Sequence, residues 1–80
     1  MKKVSLKEML NLKGHKAIFV HDLSDGYDIG DQIDVYDYKG INSLKTIKEE
    51  FNGHPCKIEV RCFFNKRNPY MNNWCYTYIN

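Results

Sequence analysis

The chain has 80 residues, enough for one domain and too few for a second hydrophobic core. Its 42% hydrophobic and 28% charged content is ordinary globular usage, and no run approaches the ~18 apolar residues of a membrane span. The net charge of +2 conceals a division: Asp22 to Asp37 carries six aspartates and no Lys or Arg, while the rest of the chain carries twelve basic and four acidic groups.

The first expected element is a helix over "VSLKEMLNLKG". Ser5 and Glu8 are spaced as a capping box, Leu6, Met9 and Leu10 fall on one stripe, and Gly14 suits the position after the last turn. "HKAIFVHDL" is rich in β-branched and aromatic residues and reads as a strand. "SDGYDIGD" is a loop, with Asp25-Gly26 as its turn signal. "QIDVYDY" alternates, placing Ile33 and Val35 on one side and Asp34, Tyr36 and Tyr38 on the other. These two strands form a hairpin.

"NSLKTIKEEFNG" is a second helix, capped by Ser43 or Asn42, with Leu44, Ile47 and Phe51 as its apolar stripe. Gly53 and Pro55 end it. "KIEVRCFF" is a strand with Ile58, Val60, Cys62 and Phe64 on one face and Lys57, Glu59, Arg61 and Phe63 on the other. "NKRNPYMNN" is a loop, and "WCYTYI" is the last strand. Its register has two solutions. Either Trp74, Tyr76 and Tyr78 pack under the helices, or Cys75, Thr77 and Ile79 do.

The expected order is α-β-β-α-β-β. It implies an α+β fold in one domain over residues 1–80: a four-stranded antiparallel sheet with two short helices on one face. Three cysteines without a CxxC are unlike a secreted disulfide framework, and the N-terminal segment lacks a signal peptide's apolar run. A cytoplasmic protein with reduced thiols is the expectation.

The aspartates recur at every third position: Asp22, Asp25, Asp28, Asp31, Asp34 and Asp37. Calcium loops place carboxylates at alternate positions, and three residues of extended chain span ~10 Å, so these carboxylates diverge. No metal is expected. A dense row of carboxylates also resembles the charge density of a nucleic-acid backbone, about one charge per 3.4 Å along a strand. Such a surface can occupy a groove in which lysines and arginines normally grip phosphate. Asp25, Asp28, Asp31 and Asp34 are the candidate partner-binding residues.

The second hairpin has the opposite character. If Arg61 and Phe63 face outward beside Tyr76 and Tyr78, with Lys66 and Arg67 nearby, they form a basic, aromatic platform. Single-stranded DNA or RNA is held on such platforms by base stacking. The glycine-and-aromatic strand pattern of common RNA-binding modules is absent. His54, Cys56, Cys62 and Cys75 do not have the paired spacing of zinc ligands, and Cys62 fits a core position. No phosphate-binding, nucleophile-elbow or zinc-protease motif is present.

The sequence thus favours a small non-catalytic macromolecule-binding protein without a cofactor, monomeric or dimeric. The composition suits an accessory or inhibitor protein of a phage or mobile element, with an acidic hairpin directed at a nucleic-acid-handling host protein. Single-stranded nucleic-acid binding is the alternative.

Overall fold

Ser5 Oγ accepts the backbone N–H of Glu8 at 3.2 Å, and the helix α1 (Leu6–Asn11) starts there as its sequence predicts. Met9 is fully buried and Leu6 partly so, but Leu10 stays exposed, so the apolar stripe is narrower than expected. The helix stops at an extended Leu12. Gly14, at φ +131°, belongs to the turn into the next strand and is not the helix cap.

The computed structural model describes residues 2–23, 33–63 and 74–80. Besides α1, these residues form β1 (Lys2–Lys3), β2 (His15–Asp22), β3 (Ile33–Asp37), α2 (Ile41–Glu50), β4 (Cys56–Phe63) and β5 (Trp74–Ile79). The α+β class holds. The sheet, however, has five strands in the order β1-β5-β4-β2-β3. Four of them pair antiparallel, but β1 adds a parallel pair, Lys2 beside Trp74 and Lys3 beside Cys75. The Val4 N–H extends it, donating to the Cys75 carbonyl at 2.8 Å. A two-residue strand of lysines has no alternation to detect, and its partner lies some seventy positions away, so the expected four-stranded antiparallel sheet falls short by one strand.

The second helix also begins differently. Gly40, not Ser43 or Asn42, holds the cap position, at a φ of +118° that a side chain would strain. The Ser43 hydroxyl instead donates to the Gly40 carbonyl at 2.6 Å and accepts the Lys39 N–H at 3.2 Å. Leu44 and Ile47 are buried and Phe51 packs beside them, as the stripe requires. After α2, Gly53 turns the chain at φ +82°. Asn80 ties that turn down, its side-chain amide donating to the Phe51 and His54 carbonyls.

Alternation sorts every strand onto two faces. Ile18, Val20, Cys56, Ile58, Val60 and Cys62 meet Met9 of α1 and Leu44 and Ile47 of α2, so both helices cover the same face. Tyr36, Tyr38, Trp74, Tyr76 and Tyr78 pack around that core. The two-fold ambiguity of the last strand is therefore resolved with its aromatics under the helices. Each fully buried aliphatic or aromatic side chain there contributes ~1.5–3 kcal/mol. The opposite face, the open face in the sense that no described helix lies over it, carries Ala17, Phe19 and Phe63, all buried, with Ile33 beside them. Among the described residues, no helix is long and apolar enough to cross a membrane.

Candidate functional site

Sheet order sets charge at the two edges. One edge is β3, which pairs only with β2 among the described strands. Asp34 and Tyr36 lie on its helix side, paired across from Val20 and Ile18; Val35 and Asp37 lie on its open side, across from Phe19 and Ala17. Asp34, Val35 and Asp37 are all exposed. Glu50, at the end of α2, joins Tyr36, Asp37, Lys39, Thr46 and Ile47 in the walls of a groove between α2 and β3, so one lysine stands among these carboxylates. The Tyr36 phenol is pushed above its ordinary value by burial, then by Asp34, then by Glu50, so both carboxylates act on one spot. Of the four aspartates expected to bind a partner, Asp34 sits in this acidic edge. Asp25, Asp28 and Asp31 lie outside the described residues. Asp22 is engaged internally, with His54 Nε2 3.1 Å from its carboxylate.

The other edge is basic. Lys2 and Lys3 form β1 itself and are exposed. On the helix side of β5, Lys48 Nζ stands 4.1 Å from the Tyr78 ring centre, 5.5 Å from that of Tyr76, and 3.4 Å from the Tyr76 hydroxyl. Lys45, one turn earlier, lines the same groove as Lys48 and Tyr78. Thr46 and Glu50 of α2 thus line the groove toward β3, while Lys45 and Lys48, with Glu49 beside them, line the groove toward Tyr78 of β5.

The expected single-strand platform does not assemble. Arg61 and Phe63 are on the open face, whereas Tyr76 and Tyr78 are under the helices, because residues opposite each other in the β4–β5 ladder share a face and Arg61 pairs with Cys75. Lys66 and Arg67 lie outside the described residues. Phe63 is buried, and the Arg61 guanidinium is already stacked 4.1 Å from the Phe19 ring centre.

No family model, curated protein or solved structure matches this chain.

The open face holds a feature that the sequence concealed. Glu59, read as an outward residue, is only 4% exposed. Its Oε1 lies 3.3 Å from Arg61 Nη2, 3.3 Å from Lys57 Nζ and 2.7 Å from His21 Nε2. Burial alone would raise the Glu59 pKa. The hydrogen bond and charge of Arg61, with those of Lys57, outweigh burial and hold it below the usual carboxylate range. His21 is pushed below its ordinary value, first by burial and then by Lys57, against the opposing pull of Glu59. The cluster is therefore a fixed carboxylate beside a neutral imidazole at neutral pH. Register is the signal that places it: Glu59 stands between Phe19 and Thr77, in the middle strand of the sheet.

The thiols diverge. Cys56 and Cys62 are in the helix-side core, while Cys75 shares the open side with Arg61. Among the described residues, no three His, Cys, Asp or Glu side chains converge as a metal site would require.

Proposed function

We propose that this chain is a small non-catalytic macromolecule-binding protein that presents its acidic edge to a basic surface of another protein. Sorting of opposite charges to opposite edges of one sheet carries the reading. Asp34, Asp37 and Glu50 are on the β3 side, and Lys2, Lys3, Lys45 and Lys48 are on the β5 side. Lys39 on the β3 side and Glu49 on the β5 side reduce this sorting without reversing it, so the exposed Asp34 and Asp37 still present a field to a partner. A protein that grips nucleic-acid phosphates offers a complementary groove, which makes an inhibitor or accessory protein directed at such an enzyme the favoured identity. The test replaces Asp25, Asp28, Asp31 and Asp34 with asparagine and captures partners from host lysate at low salt. The expected result is a nucleic-acid-binding protein held by the native chain, displaced by duplex DNA and lost with the variant. Equal capture by both chains refutes the reading.

A second reading, direct binding of single-stranded nucleic acid, draws on the other edge, where Lys48 lies over Tyr78 beside Lys45. Fluorescence anisotropy with a mixed oligonucleotide separates the two. Salt-sensitive micromolar binding by the isolated chain supports the second; its absence at high protein concentration removes it.

A further inference from the structure

The two edges of the sheet complement each other as well as outside partners. The outer side of β3 has no strand beside it among the described residues, and β1 covers β5 only at Trp74 and Cys75. Among the described residues, the backbone from Tyr76 to Ile79 is thus a second open edge. Such edges accept another strand through their unpaired N–H and C=O groups.

Direction, layer and charge all match. Counting antiparallel steps through β2 and β4, β3 and β5 run opposite ways. A second copy set beside the first in the same orientation therefore brings its β3 antiparallel against β5, with helices on the same side. On that side Asp34 and Glu50, with Lys39, of one copy approach Lys45 and Lys48, with Glu49, of the next, an excess of acid against an excess of base. On the open side Val35, 50% exposed, approaches Ile79, 69% exposed, and these are the two most exposed large hydrophobic residues on the described strands. Symmetric pairing is disfavoured: two β3 edges would face aspartates to aspartates, and two β5 edges would face lysines to lysines.

We propose that the chain self-associates by lateral extension of its sheet, the β3 edge of one copy pairing with the Tyr76–Ile79 stretch of the next. The contact joins two different surfaces, so each added copy leaves one edge of each kind available and growth continues beyond a dimer. The inference uses the acidic edge but does not rest on the partner reading above.

Light scattering coupled to gel filtration tests it. The native chain should show a mass that rises with protein concentration at low salt and falls back toward monomer at high salt. Two variants each break one edge, Asp34→Lys with Val35→Lys, and Lys45→Glu with Ile79→Asp. All four positions are exposed, and circular dichroism checks that both variants fold. Each alone should remain monomeric. Their equimolar mixture should associate again, because the native β3 edge of one variant meets the native Tyr76–Ile79 edge of the other. A native chain that stays monomeric at millimolar concentration overturns the proposal. So does association that survives in either variant, which would indicate a symmetric contact, or a mixture that stays monomeric.

Discussion

On the helix-covered face, Ile18, Val20, Ile58 and Val60 meet Met9, Leu44 and Ile47, and their burial is apolar throughout. One residue along the same strands, on the open face, stand His21, Lys57, Glu59 and Arg61, a carboxylate among three basic side chains. The first face is stabilised by area removed from water and is tolerant of small changes in shape. The second depends on a balance. A buried carboxylate is costly to desolvate, and its cations offset that cost only while all are in place. Each face also has a cation on an aromatic ring, Lys48 over Tyr78 and Arg61 over Phe19. Lys48 can be lost singly; Arg61 cannot, because Glu59 would be left short of charge.

The largest expected effect is therefore Glu59→Gln, which keeps the shape and removes the charge. It should cost about 3 kcal/mol of stability in urea unfolding, since Arg61 is left buried without its counter-ion. Replacing the pair together, Glu59→Leu with Arg61→Met, should recover more than half of that loss. If the double replacement is as damaging as the single one, packing rather than charge balance governs the open face.

Acid should expose the same difference. The folded chain holds His21 below its ordinary value of 6.5, so it binds that proton at lower pH than the unfolded chain does. Stability from this group is complete above 6.5 and is lost as pH falls from there through the depressed folded value. Glu59, held below its ordinary 4.5, contributes stability that is complete above 4.5 and disappears as pH falls through its folded value. Melting temperature followed by circular dichroism should fall in two stages on acidification. His21→Gln should flatten the upper stage and Glu59→Gln the lower. A helix-face change such as Ile58→Val should cost about 1 kcal/mol at every pH, lowering the whole curve without altering its shape. Lys48→Ala is the smallest of the set, about 0.5–1 kcal/mol in urea unfolding, because its ammonium is only partly removed from water.

The same contrast explains what the sequence made legible. Strands β2 to β5 were readable because alternation of large apolar residues is a local pattern, and the boundaries of β5 coincide with the stretch read as "WCYTYI". The two helices were readable from their stripes, although Gly40 took the cap that Ser43 or Asn42 was expected to supply. Long-range pairing was not legible. Nothing local tells that Lys2 and Lys3 lie beside Trp74 and Cys75, or that Glu59 falls in the central strand between Phe19 and Thr77. For the candidate site, only Asp34 of the four aspartates lies among the described residues, exposed on β3. Glu50 was missed, because its membership in the acidic edge depends on which way α2 is rolled over the sheet. The basic, aromatic platform depended on which face Tyr76 and Tyr78 take, which the sequence left open and the β4–β5 register places under the helices.

The three thiols follow from this layering. Cys56 and Cys62 are fully enclosed on the helix side, and burial, the first cause in each case, raises both thiols above their ordinary value. Cys75 is enclosed on the other side, at 2% exposure. Each sulfur can be alkylated only when its own layer opens, so mass spectrometry after a pulse of iodoacetamide times the opening of each layer separately. Simultaneous labelling of all three would mean that the layers separate as one cooperative unit. Early labelling of Cys75 would mean that the ionic layer loosens first.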